Sequence, residues 1–226
     1  DSAIVLAGAG HADLVIVGNE NLLGSDPIPE QDRIRYVRYV QDRIADSIPV
    51  TAAETYDRML TQPGLMAAVD LIMVNVYPFW ESTGIETAVA AFVRAFRRVE
   101  DAAGGKRIIV SETGWPSGGQ PRGAAIPSLE NAIRYHLGVQ TWARVHGVEL
   151  FSFEAFDETW KTADEGPVGA HWGIFDACGN LKEGMERLFS GEQTGAVWAD
   201  SVTPCCTNPR PTVFITRIPE YGCSGR

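Results

Sequence analysis

Two glutamates end apolar segments of the sequence in contexts that suit acid–base chemistry. Glu20 ends the segment VIVGNE, and Glu112 ends the segment IIVSE. A pair of carboxyl groups is sufficient for sugar hydrolysis, because one can protonate the leaving oxygen while the other attacks the anomeric carbon. Retaining hydrolysis places the two groups about 5–5.5 Å apart. Glu20 and Glu112 are therefore the candidate catalytic residues, although each could instead only cap the helix that follows its strand.

Further polar and aromatic side chains end the same apolar segments. Asn19 precedes Glu20 and could hydrogen-bond a sugar hydroxyl, or serve only as a turn residue. Glu54 ends the segment IPVTAAE. Aromatic rings can stack on the apolar faces of sugars, with burial in the core as the alternative role. Trp115 lies in a Gly-Trp-Pro turn and is expected to be exposed. The candidate substrate-binding residues are Asn19, Glu54, Tyr77, Trp115, Phe156 and Trp160.

Five apolar segments determine the expected fold. Each gap between successive segments has room for a helix and two loops. Continuous apolar strands joined by helices form a parallel sheet that is covered on both faces. We therefore predict an α/β fold with strands at 14–18, 48–54, 70–78, 107–112 and 148–156.

Amphipathic patterns predict the main helices between these strands. Apolar residues recur at helical spacing over 34–44 and 85–99, and the second pattern ends at a Gly-Gly pair. A long helix is expected to begin after Ser128 as its N-cap and to end near 146. A last helix is expected to contain Leu181, Met185 and Phe189.

A parallel sheet can be an open doubly wound sheet or a closed barrel. The open dinucleotide-binding type carries a glycine-rich loop after its first strand, whereas Gly8-Ala9-Gly10 precedes that strand and lacks the third glycine. In a barrel, catalytic groups lie at the carboxyl ends of the strands. Asn19, Glu20, Glu54 and Glu112 lie at such ends. The pattern therefore favours a (β/α)8 TIM barrel.

Composition excludes several other classes of partner. The 226 residues carry 19 basic and 29 acidic side chains, and this net charge of −10 opposes binding to nucleic acid. The longest apolar stretch, 71–80, is too short for a membrane span. No H-E-x-x-H or C-x-x-C motif supports a metal site. The four cysteines are clustered late in the chain and hint at disulfides in an oxidising compartment: Cys178, Cys205, Cys206 and Cys223.

The segment 108–117, IIVSETGWPS, closely resembles the signature of glycoside hydrolase family 17, the β-1,3-glucanases and β-1,3-glucanosyltransferases. Other segments resemble further motifs of that family: VGNE at 17–20, NVYPF at 75–79, FDETWK at 156–161 and HWGIFD at 171–176. The resemblance extends over about residues 1–190.

This resemblance implies that Glu112 is the nucleophile and Glu20 the general acid/base of a double displacement with retention. Glu158 and Lys161 would organise the site, with the Lys161 cation favouring an ionised nucleophile. The expected substrate is a β-1,3-glucan oligosaccharide or polysaccharide, with no metal and no cofactor. The protein is expected to be a monomer that is secreted or located in the cell wall or periplasm.

The family barrel has three further strands before the acid/base strand. We therefore expect residues 1–190 to hold strands 4 to 8 of a (β/α)8 barrel, and 191–226 to form a linker or tail leading to a further segment. Five strands cannot close an eight-stranded barrel, so a catalytically silent, truncated glucan-binding fragment is an alternative. A related barrel glycosidase with another glycan substrate is a third. Hydrolysis and glucanosyl transfer share one intermediate and are both open.

Overall fold

The computed structural model describes residues 1–24, 27–196 and 198. They divide into two compact units. The first comprises Asp1–Val76 and Ala95–Ser111, and the second comprises Tyr77–Arg94 and the described residues from Glu112 onward.

The five predicted strands are present and form one sheet in chain order. β1 pairs with β2 in parallel, with Val15 opposite Val50, and β2 pairs in the same way with β3. The predicted parallel α/β fold is therefore confirmed. The strands are β1 (Val15–Asn19), β2 (Val50–Thr55), β3 (Ile72–Asn75), β4 (Ile108–Thr113) and β5 (Glu149–Ser152).

The core of the first unit is built on the central strands of that unit. Every residue of β3 is buried, and β2 is buried except at its last residue. Unbroken burial of this kind is typical of parallel strands that are covered on both faces. Four apolar side chains form one buried cluster against Leu14: Ala53, Leu71, Met73 and Ile109.

The core of the second unit is strongly aromatic. The Phe79 ring meets the Trp115 and Trp172 rings edge to face, with centroids 5.3 and 5.7 Å away. Trp115 also packs on Tyr135, whose hydroxyl lies 2.7 Å from Thr113 Oγ1 at the end of β4. This packing ties the carboxyl end of β4 to the helix that carries Tyr135.

The long predicted helices are confirmed. Ser128 Oγ accepts a hydrogen bond from the Asn131 amide at 3.1 Å, and Gly147 ends the same helix with a φ of 66°. The left-handed conformation suits glycine and satisfies a terminal carbonyl. The helices are α1 (Ser2–Gly8), α2 (Glu30–Gln41), α3 (Tyr56–Met59), α4 (Pro63–Ala68), α5 (Ile85–Ala102), α6 (Leu129–His146) and α7 (Thr162–Glu165).

The predicted last helix is wrong. Only a 3-10 turn forms there, over Met185–Leu188. Gly184 precedes it with a φ of 83°, outside the helical region, and Leu181 forms a β-bridge with Phe175. Apolar spacing suggested a helix, but a left-handed glycine interrupts it.

The end of the chain is described only in part. Thr194 N donates to Thr141 Oγ1 of α6 at 3.1 Å, so this part of the predicted 191–226 tail contacts that helix. Residues 199–226, with Cys205, Cys206 and Cys223, lie outside the described residues, while Cys178 is exposed. Within the part of the chain that the structure describes, no helix is long and apolar enough to cross a membrane.

Replacing Ser128 with alanine should lower the free energy of unfolding by about 1 kcal/mol, because the Asn131 amide loses its side-chain acceptor. Urea denaturation measures this change. Ser128→Asn is the matched control, since asparagine caps helices as well as serine does. An alanine variant as stable as the parent protein would contradict the capping role.

Candidate active site

Glu20 occupies an unusual backbone conformation directly after β1. Its φ is 53°, in the left-handed region that glutamate rarely adopts. Its amide donates to Ala53 O of β2 at 3.0 Å, which fixes the start of the turn. Gly18, with a φ of 88°, also contributes to the turn, because a Cβ there would lie 2.0 Å from Asn21 Oδ1. Residues held in such conformations are concentrated at functional sites.

Asn75 orients the Glu20 side chain. Asn75 Nδ2 donates to Glu20 Oε1 at 2.8 Å and to Asn19 Oδ1 at 3.1 Å. Ser111 Oγ donates to the other end of the amide, Asn75 Oδ1, at 2.5 Å. The first unit therefore brings Asn75, at the end of β3, to Asn19 and Glu20 at the carboxyl end of β1. Asn75 was missed as a site residue, although it lies in the NVYPF segment.

Glu54 lies in the interior of the first unit. Its side chain is 1% exposed and forms an ion pair with Arg33, which is 2% exposed, across 3.4 Å. Its Oε1 also accepts from the Leu22 amide at 3.0 Å. Burial raises the pKa of Glu54, while the Leu22 hydrogen bond and Arg33 oppose that rise. The expectation that Glu54 contacts substrate is therefore not met: the side chain is enclosed and engaged with Arg33 and Leu22.

Tyr77 holds Glu112 in the second unit. The Tyr77 hydroxyl donates to Glu112 Oε2 at 2.7 Å. The ring meets Phe153 and Trp172 edge to face, with centroids 5.7 and 5.6 Å away. The hydroxyl is thus carried by a ring that packs in one cluster with two other aromatic rings, which also contact each other. Tyr77 thus contacts the predicted nucleophile, and its role in binding substrate stays a prediction.

Lys161 is enclosed by two carboxyl groups. Its Nζ binds Glu154, lies 2.7 Å from Glu158 Oε2, and lies 4.3 Å from the centre of the Phe153 ring. Burial raises the pKa of Glu154 to about 7; Lys161 opposes the rise and Glu158 adds to it. The hydrogen bond from Lys161 lowers the pKa of Glu158. Near neutral pH, Glu154 therefore readily holds a proton, which leaves Glu158 as the charged partner of Lys161.

The remaining aromatic candidates have different environments. Trp160 is 64% exposed and Phe156 is 36% exposed, so both offer surface to a ligand. Trp115 is fully buried, and its indole N–H donates to Ile126 O at 3.0 Å. The expected exposure of Trp115 is wrong, because Phe79 and Tyr135 pack around it.

The predicted catalytic residues belong to different units, Glu20 to the first and Glu112 to the second. The expected spacing of about 5–5.5 Å between their carboxyl groups stays a prediction.

Sequence reasoning missed Glu154 as a site residue, although it precedes the FDETWK segment. Among the described residues, no group of three His, Cys, Asp or Glu side chains is arranged to hold a metal ion.

The sequence matches known proteins over most of its length. Residues 2–173 match the model of the BtgE/BtgC glycoside hydrolase domain. The chain is 30% identical over 194 residues to a glucan 1,3-beta-glucosidase of Saccharomyces cerevisiae, covering 77% of this chain and 62% of that protein. It is also 29% identical over 167 residues to the cell surface mannoprotein MP65 of Candida albicans, covering 71% of this chain and 43% of that protein. The chain thus spans less than two thirds of either relative.

Solved structures show a similar fold. The glycoside hydrolase family 17 beta-1,3-glucanosyltransferase from Rhizomucor miehei matches with a TM-score of 0.70 and 31% identity, covering 76% of this chain and 62% of that enzyme. An active-site mutant of the same enzyme, in complex with laminaritriose, also matches with a TM-score of 0.70. These matches confirm the resemblance to family 17, and the partial coverage agrees with five strands of a larger barrel.

The carboxyl resonance of Glu154 should titrate with a midpoint near 7 when followed by carbon-13 NMR. Replacing Glu158 with glutamine should lower that midpoint, because the substitution removes a charge that raises the pKa of Glu154. Between pH 4.5 and about 7, the folded protein keeps a proton that the unfolded chain has lost. The contribution of Glu154 to the free energy of unfolding therefore decreases as the pH rises through that window. Glu130→Gln, at an exposed position, is the control, and an unchanged midpoint in Glu158→Gln would refute the coupling.

Proposed function

The chain belongs to the BtgE/BtgC glycoside hydrolase domain family, and from this we propose that it acts as a retaining glycosidase on β-1,3-glucan. The names of its relatives support the substrate, as does the laminaritriose bound by the Rhizomucor miehei enzyme. Because the chain spans only 62% of that enzyme, the activity of the whole protein is part of the proposal.

Glu112 is the proposed nucleophile. The observation that carries the assignment is the 2.7 Å hydrogen bond from the Tyr77 hydroxyl to Glu112 Oε2. A nucleophilic carboxylate must approach the anomeric carbon along a defined line, and a fixed donor on one oxygen restricts rotation of the group. Two edge-to-face ring contacts hold Tyr77, so the restriction is transmitted to Glu112.

Glu20 is the proposed general acid/base. It protonates the glycosidic oxygen as the bond from that oxygen to the anomeric carbon breaks, while a Glu112 oxygen forms the glycosyl ester. Glu20 then takes a proton from water or from a sugar hydroxyl, whose oxygen attacks the anomeric carbon and releases Glu112. Two inversions give net retention. Asn75 supports this role, because its side-chain amide donates to the Glu20 carboxyl. Ser111 in turn donates to the oxygen of that amide and so fixes its orientation.

Other residues contribute to substrate binding in this proposal. Asn19 accepts from the same Asn75 amide as Glu20 and is exposed, so it is available to a sugar hydroxyl. Trp160 and Phe156 present exposed rings on which a sugar can stack. Lys161 and Glu158 form a charge pair beside Trp160, whose ring centre lies 5.4 Å from Lys161 Nζ. Trp115 is left out of the binding surface because it is buried.

The proposed location is the cell wall or the secreted fraction. The similarity to a cell surface mannoprotein supports it, and so does the substrate, since a glucanase acts where the polymer lies. Fractionation of culture medium, wall and cell lysate, followed by immunoblotting, tests the location.

Replacing either Glu20 or Glu112 with glutamine in the full chain should reduce the rate of laminarin cleavage by at least about 10²-fold, with little loss of stability. Reducing-sugar release measures the first effect, and the thermal midpoint measures the second. Glu130→Gln is the matched control, because Glu130 is an exposed glutamate on α6. Full activity in either catalytic variant would overturn its assignment.

The two roles can be separated by azide. In Glu112→Gly, azide should restore turnover and give a glycosyl azide of inverted configuration, because azide attacks in place of the missing carboxylate. In Glu20→Gly, the azide product should have the retained configuration. The opposite pattern would exchange the two roles.

The products distinguish the remaining alternatives. Incubation with laminari-oligosaccharides yields products longer than the substrate if a sugar intercepts the intermediate, and only shorter products if water does. Binding to laminarin with no product at all, in a chain that is folded, would favour the glucan-binding fragment over the enzyme.

A further inference from the structure

The turn after β1 is fixed by a buried acidic side chain as well as by the backbone. The Leu22 amide, two residues beyond Glu20, donates to Glu54 Oε1 at 3.0 Å. Leu23 N also donates to Glu20 O at 3.1 Å, and Glu20 N donates to Ala53 O at 3.0 Å. The residue with the left-handed backbone is thus bracketed by two contacts to the end of β2, one to the main chain at Ala53 and one to the side chain at Glu54.

The position of the Glu54 carboxyl is itself set by Arg33. Arg33 of α2 lies 3.4 Å from Oε1 and donates through Nη2 to Gln62 Oε1 at 2.5 Å. Glu54 Oε2 and Arg33 Nε have no hydrogen-bond partner within the described part of the chain. A buried ion pair with unsatisfied atoms is a poor way to stabilise a fold, because desolvation offsets the attraction. Its contribution is better sought in the geometry that it imposes.

We propose that Glu54, supported by Arg33, is a positioning residue that holds the turn at Glu20 and so directs the Glu20 carboxyl at the leaving oxygen. The inference rests on the proposed role of Glu20 as general acid. Glu54 does not touch the substrate, since its side chain is 1% exposed. It acts through the Leu22 amide and the main chain of residues 20–22.

This role has a specific kinetic signature. A general acid matters most when the leaving group is a poor one, such as a sugar, and least when the leaving group is an activated phenol. Loss of alignment should therefore slow the cleavage of laminari-oligosaccharides far more than that of a dinitrophenyl β-laminaribioside. Simple destabilisation of the fold would slow both substrates alike.

The main test uses the double variant Arg33→Met/Glu54→Met, which replaces the ion pair with apolar side chains of similar volume and removes the acceptor of the Leu22 amide. With a series of aryl β-laminaribiosides, log kcat/KM should fall more steeply with leaving-group pKa than in the parent protein. The rate on laminari-oligosaccharides should fall by about 10²-fold, the loss typical of a misplaced catalytic group. Circular dichroism and the thermal midpoint establish that the variant is folded.

Conservative variants complete the design. Glu54→Gln keeps an oxygen for the Leu22 amide and should retain a slope close to that of the parent protein. Glu54→Asp keeps the charge but withdraws the acceptor by one methylene, so it should steepen the slope. It carries the test if the double variant does not fold. Ser128→Ala, which weakens α6 in the other unit, is the control for destabilisation and should leave the slope unchanged.

Glu20→Gln is measured in parallel, so that two kinds of failure can be told apart. A steep slope in Glu20→Gln together with an unchanged slope in the double variant and in Glu54→Asp would overturn the positioning role alone. An unchanged slope in Glu20→Gln would overturn the general-acid assignment, and the positioning role with it. Steep slopes in Glu20→Gln, the double variant and Glu54→Asp would support the proposal.

Discussion

The buried charge of Glu54 is the constraint that links the end of β2 to the turn after β1. A carboxylate inside a protein must be compensated, and here Arg33 and the Leu22 amide both supply positive potential to the same oxygen. Arg33 comes from α2, Glu54 from the end of β2, and Leu22 from the turn after β1. One electrostatic requirement therefore fixes a helix, a strand and a loop in relation to each other. That requirement acts on the loop at Glu20 together with the backbone hydrogen bond from Glu20 to Ala53.

Charge compensation takes a different form in the second unit. There, one lysine lies between two carboxyl groups, so the cluster carries a surplus negative charge if all three are ionised. A proton on Glu154 removes that surplus near neutrality, since its pKa is raised to about 7. The first unit balances the Glu54 charge with arginine side chains and backbone amides, whereas the second unit balances its charges with a proton. The second arrangement therefore depends on pH near neutrality.

The sequence was informative about elements and much less so about burial. The five strands follow from apolar runs and the start of α6 follows from Ser128 as a capping residue. Both signals are local, because they depend on residues that are close together in the sequence. The interior position of Glu54 depends on its contact with Arg33, which lies 21 residues earlier in the sequence and carries no local signal of that contact. Trp115 looked exposed because it lies in a turn, but Phe79 and Tyr135 enclose it. The broken last helix depends on one glycine dihedral angle at Gly184.

The sequence indicates some residues of the candidate site and not others, for a physical reason. Glu20 and Glu112 end strands, and strand ends can be read from hydrophobic pattern alone. Asn75 and Glu154 act through side-chain contacts to Glu20 and Lys161, so their importance appears only when those contacts are seen. A motif shows which residues can react, and the folded chain shows which residues hold them.

The left-handed backbone at position 20 sets the proposed chemistry of Glu20 against the stability of the fold. Backbone conformations of this kind cost glutamate on the order of 1 kcal/mol or more, whereas glycine adopts them freely and asparagine relatively easily. Selection for thermal tolerance alone would therefore tend to replace Glu20. An engineer who ranks substitutions by folding energy would find glycine or asparagine favoured at a proposed catalytic position. Glutamate at this position is therefore not the residue that the stability of the fold alone would favour.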